Sequence, residues 1–298
     1  MYHFSLVDAT ASTFSSDRPY FIELDEYNAG EMIYIHENAV KSTSAGATAT
    51  IIAGNVNEQA FKNGAASVAR FDRPEGFTKI SSSRIVVSDT YNKCVRVINL
   101  ADTGNTVANF SGRCGSQGDK DGLDGKFKRP KAIILDKKNS NQLFVSDDNQ
   151  ALRTIVISTG EIGTFTETGN ALLRLVNYMT QHEDGDIFVS AHLSISRVSY
   201  EDKSVKKIVG VKSVRNDGDE VGLFSEALFS YPAGLQFIGK NALLVADEQN
   251  SKVKLIDLKE KEVSNVDVCS GCGSMGKPSG LVCKDGALYL SFGYKNII

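Results

Sequence analysis

The sequence lacks tryptophan and contains only five prolines and four histidines in 298 residues. With four histidines, the chain has few possible ligands for a catalytic zinc ion, because such a site takes about three protein ligands and an open position. No apolar run approaches the roughly 18 residues of a spanning helix, so we expect no membrane insertion. Five cysteines cannot all pair within one chain, and a chain of this length can bury a core without disulfides.

An excess of charge of one sign is also missing. The chain has 33 Lys and Arg residues against 36 Asp and Glu residues, a net charge of -3. Nucleic acids and anionic membranes attract a concentrated basic surface, so only a local patch could bind either. Residues 1–16 have neither the basic start nor the apolar stretch of a secretory signal. We therefore expect a cytoplasmic protein, unless the chain is a fragment of a secreted one.

What the sequence does contain is an internal repeat. The segment RIVVSDTYNKCVRVI (84–98) returns as LFVSDDNQALRTI (143–155) and LLVADEQNSKVKLI (243–256), and weaker copies begin near residues 31, 186 and 287. A proline lies at one register upstream of five of the six copies. These prolines are Pro19, Pro74, Pro130, Pro232 and Pro278, and a degenerate position without proline lies at Asn177. Self-similarity at this period indicates a repeat architecture.

Each repeat contains four short apolar stretches separated by turn residues. Proline suits the first residue of a strand, where its missing N–H costs no ladder bond, and Asp, Asn and Gly suit turns. The pattern predicts an all-β fold, a six-bladed β-propeller of four-stranded antiparallel blades. We expect a single domain over residues 1–298, with blades starting near residues 19, 74, 130, 177, 232 and 278. The sixth repeat ends early, so we expect the N-terminal strand to complete the last blade and close the ring.

The repeat has a specific order of residues. In GSQGDKDGLDGKFKRPKAIILDKKNSNQLFVSDDNQALRTI (115–155), a Gly-rich segment with Asp-Gly leads through Phe and Pro to a strand that ends in Asp. This order resembles the NHL-repeat family of propellers. The repeats at Pro74 and Pro232 match well, and the other three match in part. The resemblance implies a propeller over essentially the whole chain, but no single function, because such propellers include interaction modules, RNA binders and a few enzymes.

Three copies carry an Asp at the end of the second predicted strand and an Asn shortly after it. The pairs are Asp89 and Asn92, Asp147 and Asn149, and Asp247 and Asn250. A catalytic group is needed once, whereas a turn is needed in every blade, so repetition favours structural turn residues that accept backbone N–H bonds. Cation binding by carboxylates around the channel is the alternative. The copies that depart from the pattern, at His36 and His192, are therefore candidate binding residues.

The histidines also bear on an enzymatic alternative. One enzyme with similar repeats is an amidating lyase, a six-bladed propeller whose zinc is held by histidines from separate blades. Here only His36 and His192 are predicted at the same end of the propeller, since His182 lies at the opposite end and His3 in the closing strand. We therefore predict no cofactor and no metal site. A metal-dependent lyase or hydrolase with its site at the channel mouth is the second hypothesis.

The cysteines leave a weak metal or redox alternative. Cys269 and Cys272 have C-x-x-C spacing, but a structural zinc site usually takes a second such pair. They are the only local disulfide candidate if the protein is secreted. Cys114 aligns with Cys272 in an equivalent loop three blades away, so these two should not pair. Cys94 is expected to begin a third strand, and Cys283 is expected in the core.

The longest predicted connections precede Pro74, Pro130 and Pro232 and open onto the same face as the Asp and Asn turns. We call this the loop-rich face. Long loops on a rigid scaffold are the usual place for recognition. The face is therefore the predicted binding surface.

The charge of these connections separates the classes of partner. Residues 111–129 carry five basic and three acidic groups, and residues 210–231 carry two basic and four acidic groups. RNA binding favours a continuous positive track with aromatic platforms, so nucleic acid is disfavoured and RNA binding is the third hypothesis. We predict a non-catalytic scaffold for a protein or peptide, alone or as a module of a larger protein, with Arg113, Lys126 and Arg129 among its binding residues.

Overall fold

The computed structural model describes residues 21–25, 31–44, 47–101, 103–210, 217–268, 276–284 and 287–292. Within these ranges, the only helical segments are two 3-10 turns, Ala171–Leu173 and Glu248–Asn250. No helix in the described part of the chain is long and apolar enough to cross a membrane. The prediction of an all-β chain is confirmed.

The strands are short, and all except β5 and β18 lie where the repeat predicts a strand. In chain order they are β1 (Phe21–Leu24), β2 (Glu31–His36), β3 (Ala39–Ser44), β4 (Thr50–Gly54), β5 (Gly64–Ala65), β6 (Gly76–Ser81), β7 (Arg84–Asp89), β8 (Cys94–Asn99), β9 (Thr106–Ser111), β10 (Pro130–Leu135), β11 (Gln142–Asp147), β12 (Ala151–Val156), β13 (Ile162–Thr164), β14 (Val176–Gln181), β15 (Ile187–Ala191), β16 (Ser194–Val198), β17 (Val205–Gly210), β18 (Gly222–Leu223), β19 (Pro232–Gly239), β20 (Ala242–Asp247), β21 (Lys252–Asp257), β22 (Glu262–Val266), β23 (Pro278–Lys284) and β24 (Ala287–Phe292).

These strands form antiparallel blades of four or five strands, the small sheets of a β-propeller. Blade 1 is β1 to β4, blade 2 is β6 to β9 with β5 at its outer edge, and blade 3 is β10 to β13. Blade 4 is β14 to β17, and blade 5 is β19 to β22 with β18 at its outer edge. The first strands β10, β19 and β23 begin at a proline, as the missing N–H requires.

The outer strands β5 and β18 were not predicted. Each comes from the connection that leads into its blade, and a single bridge between Gly122 and Ile162 takes the same place in blade 3. Gly64, Gly122 and Gly222 begin these pairings with φ of 120°, 97° and 119°, a conformation that L side chains rarely adopt. Two blades therefore have five strands where the sequence predicted four.

The described residues form five complete blades, one fewer than predicted, and the sixth sheet contains only β23 and β24. The first strands β1, β6, β10, β14, β19 and β23 contact one another in this order, and β23 also contacts β1. Residues 1–20 and 293–298, which were predicted to complete the last blade, lie outside the described residues. The predicted closure by the N-terminal strand is therefore untested.

Aromatic side chains fill the middle of the ring of first strands. The ring of Phe21 stacks on Tyr178 with centroids 4.5 Å apart and meets the edge of Phe77 at 5.2 Å. All three side chains are buried and belong to the largest apolar cluster of the protein. These rings close the central channel of the propeller in its middle, so its two ends are separate.

Candidate functional site

The recurring aspartates of blades 2, 3 and 5 are each paired with a cation in the protein interior. We call these the buried Asp–cation pairs. They are Asp89–Arg96 (2.8 Å), Asp147–Arg153 (3.7 Å) and Asp247–Lys254 (2.8 Å), and no member has an exposed side chain. The cations lie at equivalent places in the third strands β8, β12 and β21, on the same face as the carboxylates.

The carboxylates also bind the connection that leads into their own blade. Each accepts backbone N–H bonds from residues just before the proline, so the bonds run mainly to the preceding connection and not to the following turn. The donors are Asp72 for Asp89 (2.8 Å), Lys128 and Arg129 for Asp147 (3.0 and 2.6 Å) and Ser230 for Asp247 (2.8 Å). The N–H of Asp148, 3.0 Å from Asp147, is the one such bond to the turn itself among the described residues.

Two of the three asparagines complete this arrangement. Asn92 and Asn250 each donate to the carboxylate of their own Asp, at 2.9 and 2.8 Å, and to a carbonyl of the preceding connection, at 3.0 and 2.7 Å. The side chain of Asn149 makes no hydrogen bond within the described structure, although its polar atoms are buried. The repeated Asn therefore has the same contacts in blades 2 and 5 but not in blade 3.

The buried cations hold the same connections from within. Arg96 donates to the Lys62 carbonyl at 3.0 Å and to the Asn63 side chain, and Arg153 donates to Asp121. Lys254 lies 3.1 Å from Asp219. Each long connection is thus fixed to the blade that follows it by a network of charged groups.

Burial changes the acidity of these groups. Burial raises the pKa of Asp89 to about 6, and raises the pKa values of Asp147 and Asp247 above the ordinary range, although hydrogen bonds oppose the change. Burial also lowers the pKa of Arg96. The aspartates have no free surface with which to contact a ligand. The described residues contain no group of three or more His, Cys, Asp or Glu side chains suited to a metal ion.

A surface cluster on the loop-rich face lies at the seam between blades 2 and 3. Tyr91, in the turn after Asp89, is 36% exposed. The guanidinium groups of Arg73 and Arg129 lie on its ring, 4.8 and 5.0 Å from the centroid. Each arginine directly precedes the proline of its blade, so the repeat brings both to the same ring. Two exposed cations are thereby held against one ring.

The backbone beneath these side chains is fixed. The N–H of Arg73 donates to the Asn38 side chain at 2.9 Å, and the N–H of Tyr91 donates to the Asp72 carbonyl at 3.1 Å. The N–H of Arg129 donates to buried Asp147. Bonds to the blades and to the connections between them therefore determine where the exposed groups lie.

Further charged side chains lie next to Tyr91 and its two arginines. Arg129 lies 3.8 Å from Asp148, and Lys131 lies 3.4 Å from Asp148 and 3.7 Å from Glu75. Burial raises the pKa of Glu75, although Lys131 opposes this change. We call Arg73, Glu75, Tyr91, Arg129, Lys131 and Asp148 the Tyr91 cluster. It combines three cations with two carboxylates, and burial raises the pKa of one of these, Glu75.

His192 has an equivalent contact at the seam between blades 4 and 5. Tyr231 directly precedes Pro232 and is 46% exposed, and its ring centroid is 5.9 Å from that of His192. The position before the proline thus meets the turn of the preceding blade, as Arg129 meets Tyr91. His36, at the end of β2, is half-buried in blade 1, with blades 2 and 3 between it and blade 4.

Arg113 and Lys126 make no contact with the Tyr91 cluster in the described structure. Arg113 is exposed in the connection into blade 3, and Lys126 is half-buried with its aliphatic chain against Gly118. Of the five predicted residues, Arg129 and His192 thus have defined aromatic contacts. Sequence reasoning missed Arg73 and Tyr91, although the repeated Arg-Pro dipeptide was a signal for the first.

A disulfide joins the connection into blade 3 to blade 2. Cys94 at the start of β8 and Cys114 are bonded, with Cα atoms 4.9 Å apart. The comparison of the repeats with one another did not predict this disulfide. Such a comparison relates equivalent positions of different blades, and it does not show which residues of neighbouring elements are in contact. Cys269 and Cys272, the predicted local candidate, lie outside the described residues.

Comparisons with known proteins support the fold. No protein-family model and no curated protein matches the sequence, so the NHL resemblance has no support from either. Auxiliary nutrient binding proteins from Bacteroides ovatus and Bacteroides thetaiotaomicron superpose with TM-scores of 0.71 and 0.70 at 11% and 10% identity, over 100% of this chain and 73% of each of theirs. A catalytically inactive virginiamycin B lyase from Staphylococcus aureus with quinupristin gives 0.60 at 14%, over 97% and 95%. At such identities the likeness shows only the fold, which serves both binding proteins and an enzyme.

Proposed function

We propose that this propeller is a non-catalytic binding module that recognises an acidic segment of a protein or peptide at the Tyr91 cluster. The observation that carries the proposal is the placement of Arg73 and Arg129 on one exposed tyrosine ring. A guanidinium that stacks through its planar face still has N–H groups at its edge. Such edges bind carboxylates with two parallel hydrogen bonds.

The charge of the cluster favours an acidic partner. Three cations face two carboxylates, and the raised pKa of Glu75 reduces the opposing negative charge further as the pH falls. Two carboxylates elsewhere in the connections are paired with buried cations, since Asp121 contacts Arg153 and Asp219 contacts Lys254. A compact patch of this kind suits a short acidic segment better than the long phosphate track of RNA.

The rigidity of the surroundings also supports binding. The connection that carries Arg129 is held by a buried Asp–cation pair and by the Cys94–Cys114 disulfide. Groups that are already ordered lose less conformational entropy when a partner binds. The nutrient-binding proteins with this fold are compatible with a binding role.

A direct test uses peptides selected from a random phage-displayed library on the immobilised protein. Affinities of the selected peptides, measured by fluorescence anisotropy, are expected to fall by about tenfold or more, roughly 1.4 kcal/mol, in Arg129→Ala and Arg73→Ala. Arg113→Ala is the matched control, because Arg113 is exposed in the same connection but outside the cluster. Equal losses in all three variants would rule out this site. Tighter binding of a single-stranded oligouridine than of any peptide would rule out the partner class.

We also propose that the ring has six blades and that the N-terminal strand completes the last one. Support comes from the closed order of contacts among six first strands, although only two strands of the sixth sheet are described. Deletion of residues 2–9 should then lower the thermal midpoint by several degrees, because it exposes a sheet edge. Addition of the excised segment as a synthetic peptide should restore part of the loss. An unchanged midpoint would contradict the closure.

A further inference from the structure

A cavity of about 530 Å³ opens at the end of the channel opposite the loop-rich face. Its lining comes from the later residues of all six first strands, β1, β6, β10, β14, β19 and β23. The connections enter at the beginnings of these strands, so the cavity and the Tyr91 cluster are at opposite ends. We call this cavity the bowl. Its volume falls within the range of about 300–1,000 Å³ that is usual for small-molecule sites.

The bowl is closed towards the middle of the protein. Tyr178, stacked on Phe21, contributes to the lining, and the Phe21 and Phe77 rings fill the channel beside it. Burial raises the pKa of the Tyr178 hydroxyl far above its usual range, so it stays neutral. A ligand would therefore enter from one side only and would meet an apolar, aromatic floor.

The walls and the opening differ in polarity. The half-buried apolar side chains of the wall are Leu24, Ile134, Leu135, Phe237 and Val282. Three lysines and one carboxylate also line the bowl. They are Lys79, Lys137, Lys284 and Glu23.

Among the described residues that line the bowl, cations outnumber carboxylates. Asp25 binds the Lys79 ammonium at 2.6 Å in a buried ion pair. Lys137 and Lys284 remain on exposed surface, with the Lys137 ammonium 2.7 Å from the Gln181 carbonyl. The described lining thus contains three lysines, one of them paired with Asp25, and the single carboxylate of Glu23. This balance favours an anionic group at the opening and an apolar body inside.

Side chains fix neighbouring blades to one another around the bowl. The Asp25–Lys79 pair joins blades 1 and 2, and Gln181 accepts the Lys137 N–H at 2.6 Å between blades 4 and 3. Gln236 donates to the Cys283 carbonyl at 2.9 Å and accepts the Cys283 N–H, which joins β19 to β23. A site held in this way keeps its shape without a ligand, as small-molecule sites usually do.

We propose that the bowl binds one small organic anion with an apolar body. The apolar part would lie against Leu135, Phe237 and Val282, and a carboxylate or sulfonate would meet Lys137 and Lys284. This site is independent of the Tyr91 cluster and does not rest on the function proposed there.

The experiment uses 8-anilinonaphthalene-1-sulfonate, an aromatic anion whose fluorescence rises in apolar surroundings. Titration of the folded protein is expected to saturate at one molecule per chain. Lys284→Glu should weaken this binding by about tenfold. Lys240→Glu is the matched control at the same end, because the Lys240 side chain is 74% exposed and outside the lining. The neutral N-phenyl-1-naphthylamine should bind both variants as it binds the unmodified protein. Equal weakening by the two substitutions would overturn the proposal.

Cys283 provides a second readout inside the bowl. Its thiol was predicted in the core, but the residue is half-buried and lines the cavity. Saturating 8-anilinonaphthalene-1-sulfonate should slow alkylation of Cys283 by N-ethylmaleimide at least severalfold, as followed by mass spectrometry of the peptide that contains it. An unchanged rate at saturation would show that the probe binds elsewhere and would overturn the proposal.

Discussion

Blades 2, 3 and 5 differ from blade 4 in how the connection into each blade is held. The first three contain a buried Asp–cation pair, whereas blade 4 has Ala191 in place of the Asp and Ser196 in place of the cation. The connection into blade 4 runs only from Thr164 to Val176. It is held by a 3-10 turn that Asn170 caps and by the buried side chain of Leu173.

This difference explains why the Asp recurs in some copies and not in others. The buried pairs occur where a long connection must be fixed to a blade, and they are absent where a short one packs by itself. The recurrence therefore follows the length of the connection and not a shared reaction. The same pairs fix the segments that carry Arg73, Arg129 and Tyr231 on the surface.

The largest expected effect comes from breaking one pair. Asp89→Ala leaves Arg96 charged and without its partner in the interior, which should lower the free energy of unfolding by about 3–5 kcal/mol. Ser196→Ala in blade 4 is the matched control, because Ser196 is fully buried but has no charge, and should change it by less than about 1 kcal/mol. Urea unfolding of both variants measures the difference. Equal effects would mean that the buried pairs are not what separates the two kinds of blade.

The next effect concerns the disulfide, which only the long connection into blade 3 has in the described structure. Cys94→Ala with Cys114→Ala should cost about 3 kcal/mol, because the bond closes a loop with a sequence separation of 20. Unfolding of the double variant and of the reduced protein should agree. No loss in either would indicate that the buried pair alone holds this connection. Such bonds are typical of oxidising compartments, in contrast to the cytoplasmic location expected from the sequence.

The smallest effect is a pH dependence of binding at the Tyr91 cluster. Burial raises the pKa of Glu75 above its ordinary value of 4.5, so Glu75 takes up a proton before most carboxylates of a bound peptide do. Its protonation removes a negative charge that opposes an acidic partner. Affinity should therefore rise a fewfold as the pH falls from 7 towards 5.

Glu75→Gln tests the assignment of this pH dependence. At both pH 7 and pH 5, the variant should bind the same peptide with the affinity that the unmodified protein reaches only at pH 5. The reason is that the glutamine side chain is neutral at both pH values. Fluorescence anisotropy at pH 7 and pH 5 makes the comparison. A pH dependence that persists unchanged in the variant would assign it to a group other than Glu75.

Much of the fold could be predicted from local signals. The proline register located the first strands, and the Asp at the end of β7, β11 and β20 located the second ones, because both residue types suit only a few backbone positions. The outer strands β5 and β18 were missed because they are two residues long and depend on glycines with positive φ. The count of six complete blades exceeded the five that are described.

The candidate sites were predicted less well, because each is built from separate repeats. Arg129 was predicted as a loop cation, but its contact with Tyr91 joins blade 3 to the turn of blade 2. The bowl takes its lining from six strands distributed along the whole chain, and no local pattern marks it. Cys283 illustrates the limit, since an apolar neighbourhood in the sequence fits both a core and a cavity wall.

The sequence by itself determined the repeat, the strands and the positions of their turns, because backbone preferences and alternating burial act over a few residues. The tertiary structure decided which repeats meet at each seam. It thereby set the Asp89–Arg96 pair against the connection before it and joined Cys94 to Cys114. It also placed two arginines on the Tyr91 ring and left a cavity behind the Phe21 and Tyr178 rings. These contacts depend on how whole blades pack around the ring, which is a property of all the blades together.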